Sequence, residues 1–199
     1  MQRPVVRLPI YARETIARDR SRARDHLVFC PPEGRTIDAK DCLACGHARA
    51  ISDTTVICCP PVSELVRKTT NPEVGAVASA GFTCVVADVC ARAVQSILPE
   101  APWGLPVVDV DRRFCGFVSR VSLEESGLPP RLTWTMRVGD LAVGHALAID
   151  ERCTLHEAVE MLAVRRARTL AIVDSKASVR GLLTDIEALR AWTALQGAP

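Results

Sequence analysis

The sequence predicts an α+β chain: two tandem β-α-β-β-α repeats, preceded by a small Cys₄ metal module and a basic N-terminal tail. Three observations carry this reading. A gapless internal repeat at an offset of 65 residues lays residues 105–119 over residues 170–184. Five of the nine cysteines fall between residues 30 and 59. Seven arginines crowd into residues 1–27, in a chain of 199 residues whose formal net charge is only +2.

The N-terminal segment comes first. Arg3, Arg7, Arg13, Arg18, Arg20, Arg22 and Arg24 stand against Glu14, Asp19 and Asp25, a local charge of +4. With few apolar residues between the charges, residues 1–27 are expected to be a flexible, solvated tail or a frayed helix. A basic tail beside a metal module raises the possibility of a zinc-dependent nucleic-acid binder. The modest charge and the lack of aromatic residues among the arginines of residues 12–27 argue against it.

Residues 28–64 hold the cysteine cluster. Cys42-Leu-Ala-Cys45 has the spacing with which two thiolates on one tight turn grip a tetrahedral ion. Cys30 before it and Cys58 (or Cys59) after it complete a closed set of four. The intervening residues are too polar to form a core alone, so a bound Zn²⁺ would supply most of the segment's stability. The layout resembles a zinc ribbon with a single full Cys-x-x-Cys. A redox pair or a disulfide is the rival use, and His26 and His47 are nearby substitute ligands.

The repeats follow, over residues 69–130 and 131–195. In the better-matched part, Leu105 overlies Leu170, Val107 overlies Ile172, Asp109 overlies Asp174, Gly116 overlies Gly181 and Ser119 overlies Thr184. Each copy is an apolar run, a polar turn, a second apolar run and a hydroxyl residue, which predicts strand, turn, strand and helix start. Upstream, residues 91–97 overlie residues 156–162 as a helix with one apolar face, and Thr154-Leu-His-Glu157 is a capping box for the second copy. VGAV from Val74 matches VGDL from Val138 with a slip of one residue. Cys84 and Cys90 overlie Ile149 and Leu155, which predicts that both are small core hydrophobes. A unit of some sixty residues is marginal alone, and two packed together answer that weakness.

Two such units, carrying VVD or IVD, a turn, then Gly-apolar-apolar-Thr or Ser, resemble a pair of CBS domains over about residues 69–195. The resemblance implies a module that senses adenosine-containing ligands such as AMP, ATP or S-adenosylmethionine, dimerises, and regulates another protein. It also implies a ligand motif of Gly, Thr or Ser, and Asp. Repeat 2 offers Gly181, Thr184 and Glu187; repeat 1 offers Gly116, Ser119 and Ser122. The carboxylate is a methylene longer in one and absent from the other. Thr184-Asp-Ile-Glu187 is therefore either a nucleotide clamp or only a capping box, contributing on the order of 1 kcal/mol with no ligand present. No ligand is expected at Ser119 and Ser122. The first rival to a sensor is a dimerising interaction module with degenerate sites.

No Ser/His/Asp set, glycine-rich phosphate loop or paired carboxylates can be placed, and His145 and His156 are the repeats' only histidines, so the chain is not expected to be an enzyme. The apolar runs fall short of the roughly 20 residues that cross a bilayer. The absence of a secretory pattern makes the cytoplasm the expected location.

Overall fold

The computed structural model describes residues 5–30, 32–33, 35–60, 71–79, 81–101, 103–126, 129–133, 135–144 and 147–196. The expected limits of the cysteine module at residue 64 and of repeat 1 at residue 69 lie outside these residues, as does His145. The N-terminal third is built of strands: β1 (Val6–Pro9), β2 (Tyr11–Ile16), β3 (Arg22–Cys30), β4 (Arg35–Asp38), a 3-10 turn (Ala39–Ala44), β5 (Ala48–Ile51) and β6 (Thr55–Cys58). The expectation of a flexible tail over residues 1–27 is corrected, and no boundary falls at residue 28, because β3 runs across it.

The charges that suggested a solvated segment are cross-strand partners. β2 and β3 pair antiparallel with Arg13 opposite Asp25 and Glu14 opposite Arg24. These pairs close at 2.6 and 2.7 Å. Opposite charges directly across an antiparallel pair stabilise it. Arg13, Thr15 and Leu27 are buried on one face of the hairpin, Ile16 and Val28 on the other.

Repeat 1 comprises α1 (Val74–Val77), β7 (Phe82–Val86), two 3-10 turns (Ala91–Val94 and Leu98–Glu100), β8 (Leu105–Val108), β9 (Phe114–Val118) and α2 (Arg120–Glu125). After α3 (Pro130–Thr133), repeat 2 comprises α4 (Val138–Leu141), β10 (Ala148–Asp150), α5 (Leu155–Arg165), β11 (Thr169–Val173), β12 (Val179–Thr184) and α6 (Asp185–Gln196). The strand pair of each repeat turns on its aspartate. Asp109 Oδ1 accepts from the N–H groups of Asp111 and Arg113, and Asp174 Oδ1 from those of Lys176 and Ser178. Such a side chain closes a turn on its own backbone, which is why the VVD and IVD motifs end their strands.

The two repeats exchange hydrogen bonds about a pseudo-twofold axis. Val74 N–H donates to Cys153 O, and Val138 N–H donates to Val89 O. Ser79 trades both backbone bonds with Leu182, and Val143 does the same with Phe117. The lead-in segment of each repeat is thus paired with the last strand of the other. Gly116 allows one of these approaches: its φ is +140°, and an added Cβ would lie 2.9 Å from Val143 O.

The sheets differ. Repeat 2 has three strands in the order β10-β11-β12, whereas repeat 1 lies within a six-stranded sheet, β4-β3-β2-β7-β8-β9. Parallel pairing of β2 with β7 makes this extension. The remaining sheet, β1-β6-β5, carries the cysteine module.

Residues 91–97 are 3-10 and turn rather than the expected amphipathic helix. The N-cap position there is Cys90, which makes no side-chain capping bond, and Pro99 follows closely. Its counterpart α5 starts from Thr154 in a closed capping box. Cys90 and Thr154 are equivalent caps at an offset of 64, so the match of Cys90 to Leu155 was one residue out of step. Cys90 is exposed, not a core residue, while Cys84 is buried as expected and shares a 3.2 Å hydrogen bond with Thr15.

Candidate functional site

A cleft of about 330 Å³ opens between the two repeats. Phe82 and Thr83 come from β7, Leu105 from β8, Thr169 from β11, and Leu182 and Thr184 from β12, while residues 97–104 supply Ile97, Glu100 and Trp103. The volume sits at the lower end of the range for small-molecule sites, about 300–1,000 Å³. Thr184 lies at the junction of β12 and α6, where the first N–H groups of a helix favour an anionic group.

The arrangement of Thr184 and Glu187 is that of a cap. Thr184 N–H and Oγ1–H both donate to Glu187 Oε2 at 2.9 Å, and Glu187 N–H donates to Thr184 Oγ1 at 3.2 Å. The same three bonds join Thr154 and Glu157, at 2.7, 2.8 and 3.3 Å. Thr154 starts a helix but lines no part of this cleft, so the geometry is a local property of Thr-x-x-Glu. Ser119 and Ser122 close a capping box as well, with Ser122 Oγ–H donating to Ser119 O at 2.9 Å. Gly181 is filled by chain: an added Cβ would lie 3.1 Å from both Ala78 Cβ and Ser79 O. Its role here is the close approach of the repeat 1 lead-in to β12.

Two residues at the mouth were not singled out from the sequence. Arg168 Nη1 lies 2.8 Å from Asp185 Oδ2, and its guanidinium stands 5.9 Å from the Trp103 ring centroid. Thr169, beside Arg168, is buried and its hydroxyl has no hydrogen-bond partner among the described residues. Trp103 and Arg168 are equivalent at the offset of 65, as are Gly104 and Thr169. Extending the repeat by two residues upstream of Leu105 would have reached them.

The cysteine cluster forms a second candidate site. Cys30 ends β3, Cys42 lies in the 3-10 turn, Cys45 caps that turn with its N–H donating to Cys42 O, and Cys58 ends β6. Cys30, Cys42 and Cys58 share one buried apolar cluster with Leu8, Val28, Ile37 and Val56. Burial first, and then the neighbouring charges of Cys30, Cys45 and Cys58, push the Cys42 thiol up to about 11. Cys30 and Cys58 are raised by burial first and then by like charge, with Cys45 acting on both. Along β6 burial alternates, with Val56 and Cys58 inside. Cys59 N–H donates to His47 O. His47 Nδ1 is itself buried and without a hydrogen-bond partner among the described residues. The thiols are neighbours but not a ligand shell: among the described residues, no three His, Cys, Asp or Glu side chains are arranged to hold a metal ion.

A third feature is a groove of about 310 Å³ between α5 and α6, lined by Val159, Leu162, Leu189 and Trp192. Leu189 and, nearby on α5, Val164 are exposed. Among the described residues no helix is long and apolar enough to cross a membrane.

No protein-family model matches the chain, and no curated protein sequence matches it. Solved structures do. CBSX2 in complex with AMP superposes with a TM-score of 0.53 at 25% identity, covering 62% of this chain and 98% of that one. A CBS domain pair/ACT domain protein from Thermotoga maritima gives 0.51 at 16% identity, over 60% of this chain and 94% of that one. The cytosolic domain of the Mg²⁺ channel MgtE in complex with ATP gives 0.52 at 20% identity, over 63% and 50%. The fold of the two repeats is that of a CBS-domain pair.

Proposed function

We propose that the chain is a non-catalytic regulatory protein whose CBS pair binds an adenosine nucleotide in the cleft ending at Thr184. One observation carries this: a cleft between the two repeats brings a helix N-terminus, Arg168 and Trp103 to one mouth. A phosphate there meets the first N–H groups of α6 and competes with Asp185 for Arg168, and an adenine has the apolar walls Phe82, Leu105 and Leu182. Two of the similar structures hold AMP and ATP. Because Glu187 is committed to its cap, ribose contacts are poorer than an aspartate would make, and binding is weak. Repeat 1 binds nothing at Ser119 and Ser122.

A ligand that binds only the folded state raises the melting temperature with its concentration. AMP, ATP and S-adenosylmethionine are each expected to be tested to millimolar levels, with at least one raising it. Glu187→Asp, which shortens the side chain to the motif's carboxylate, should enlarge the rise. No shift with any of the three, in wild type and Glu187→Asp alike, overturns the nucleotide reading and leaves a dimerising module. Self-association itself is assigned to the α5–α6 groove, and Leu189→Arg should shift the chain from dimer to monomer in sedimentation.

We propose further that Cys30, Cys42, Cys45 and Cys58 close around one Zn²⁺. Cys30, Cys42 and Cys58 share one buried cluster, and the half-buried Cys45 acts electrostatically on all three, which favours this, since a metal would neutralise thiolates that burial otherwise disfavours. Cys58 is preferred over Cys59 because it faces the same interior as Cys30 and Cys42. Protein purified under reducing conditions should carry about one zinc per chain, and Cys42→Ser with Cys45→Ser should lose it. Full occupancy in that double variant contradicts the site. The nucleic-acid reading is disfavoured because Arg13, Arg22 and Arg24 are already engaged by Glu14 and Asp25.

A further inference from the structure

We infer that the Thr169 hydroxyl holds the ribose of the nucleotide, in place of the carboxylate that Glu187 keeps for its cap. The inference rests on the nucleotide reading above and names the group that reads the sugar. Thr169 lines the cleft and is only 5% exposed, yet its Oγ1 has no hydrogen-bond partner among the described residues. Other buried hydroxyls are paired: Thr15 shares a bond with Cys84, and Ser122 Oγ–H donates to Ser119 O. A buried hydroxyl left unpaired costs folding free energy. The free chain does not supply its partner, and a ligand in the cleft does.

Placement on the sheet decides which part of the ligand it meets. Thr169 opens β11 directly across from Thr184, the last residue of β12. Residues paired in this way project from the same face, with Cβ atoms about 5 Å apart. That face turns Thr169, Ala171, Leu182 and Thr184 toward repeat 1, while Leu170, Ile172 and Leu183 enter the core of repeat 2. Thr184 stands at the start of α6, beside the phosphate position. Its own hydroxyl is engaged twice by Glu187, once as donor and once as acceptor. Thr169 lies one side chain further in and is the more deeply buried of the two. The group next to a nucleotide's phosphate is its ribose. A threonine hydroxyl donates and accepts, as a ribose hydroxyl does. Because no internal bond fixes its χ1, a turn between staggered positions brings Oγ1 to the cleft.

Repeat 1 has no such group. Gly104, the equivalent of Thr169, has a φ of +91°, and a Cβ added to it would lie 2.9 Å from Val118 O. A β-branched residue is strained at that φ and has no room there. The sugar-reading hydroxyl therefore exists in one repeat, which agrees with a single nucleotide per chain.

The test uses the full chain, with AMP and its 2′-deoxy and 3′-deoxy analogues as probes. Thr169→Val keeps the shape and removes the hydroxyl. The free variant should melt at the wild-type temperature or above it, because no internal bond is lost, while AMP binds about tenfold more weakly in calorimetry. Thr169→Ser keeps the hydroxyl and removes a buried methyl, so it should melt lower yet bind AMP as wild type does. Wild type should bind one of the deoxy analogues about tenfold more weakly than AMP, and Thr169→Val should bind that analogue and AMP alike. A residue with only a structural role would not move stability and affinity in opposite directions. Undiminished AMP binding in Thr169→Val, a lower melting temperature of that free variant, or a wild type indifferent to both ribose hydroxyls overturns the inference while the nucleotide reading stands. Absence of AMP binding to wild type overturns it as well and, where ATP and S-adenosylmethionine also fail, removes the nucleotide reading with it.

Discussion

The two repeats share a backbone plan and differ in what they do with it. Repeat 2 has two full helices, α5 and α6, each opened by a Thr-x-x-Glu box, and a sheet of only three strands. Repeat 1 has short 3-10 turns and a six-residue helix in the same places, and a sheet extended to six strands by the N-terminal hairpin. One copy has two full helices with an apolar groove between them; the other has short turns in the same places and a joint with the N-terminal strands. Capping chemistry separates them. Thr154 caps a helix of eleven residues, whereas Cys90, which makes no side-chain capping bond and is followed by Pro99, precedes only four residues of 3-10 helix.

If repeat 2 holds itself together through its own core, truncations there should cost most. Leu170, fully buried on β11, overlies Leu105 on β8. Leu170→Ala is expected to destabilise the chain by about 3 kcal/mol in urea unfolding. Leu105→Ala should cost less, because Ile16 and the hairpin brace that core from the far side. Equal costs would remove the asymmetry.

The hairpin's contribution can be read next. Burial pushes Asp25 up, but hydrogen bonds and charge from Arg13, with Arg112 at 2.9 Å, more than offset it and leave its carboxyl below the usual range. Arg13→Met strips that carboxylate of its main partner and leaves Val179 O without its donor. A loss of about 2 kcal/mol is expected. The stability that Asp25 gains from its partners is present above its unfolded value and is lost as pH falls through the lowered folded value. The variant should therefore differ least from wild type in acid, which pH-dependent unfolding would show.

Cap variants come third. Thr154→Ala should cost about 1 kcal/mol, whereas Ser119→Ala at the short α2 should cost less, since fewer residues depend on that start. Thermal unfolding of the pair measures the difference.

These comparisons also show what could be read from residues alone. The repeats were legible because strands, turns and a capping box recur in step, and each recurrence has a local cause. The hairpin was not, because its signal is sign complementarity between Arg13-Glu14 and Arg24-Asp25, which becomes visible only once the strands are paired. The helix expected over residues 91–97 failed at its cap, since an apolar face alone does not start a helix. Thr184 and Glu187 were legible as a box but not as to its use. Trp103 and Arg168 share no chemistry beyond a planar group, so the offset that equates them drew no notice. The cysteine spacing announced convergence, and the chain does bring Cys30, Cys42 and Cys58 into one cluster, but a spacing says nothing of the final distances.

The smallest effect is at the joint between the N-terminal strands and repeat 2. Glu151 is buried there, with Thr36 N–H donating to its Oε2 at 3.2 Å. Burial raises its carboxyl against the lowering influence of that N–H and of Arg180, while Asp174 and Asp150 raise it further. A folded value above the unfolded one means that stability falls as pH rises between the two. Glu151→Gln should therefore be slightly more stable than wild type at pH near 7 and lose that advantage as pH falls toward the ordinary glutamate value of 4.5. A constant difference across that range would contradict the burial of a charged group at this joint.

In the proposed function, the helix N-terminus of repeat 2 meets the nucleotide and that of repeat 1 does not. Calorimetric titration of AMP into wild type, Thr184→Ala and Ser119→Ala measures it directly. One site per chain is expected, weakened by roughly 1–2 kcal/mol in Thr184→Ala and unchanged in Ser119→Ala. Two sites per chain, or a loss that follows Ser119 rather than Thr184, would contradict it.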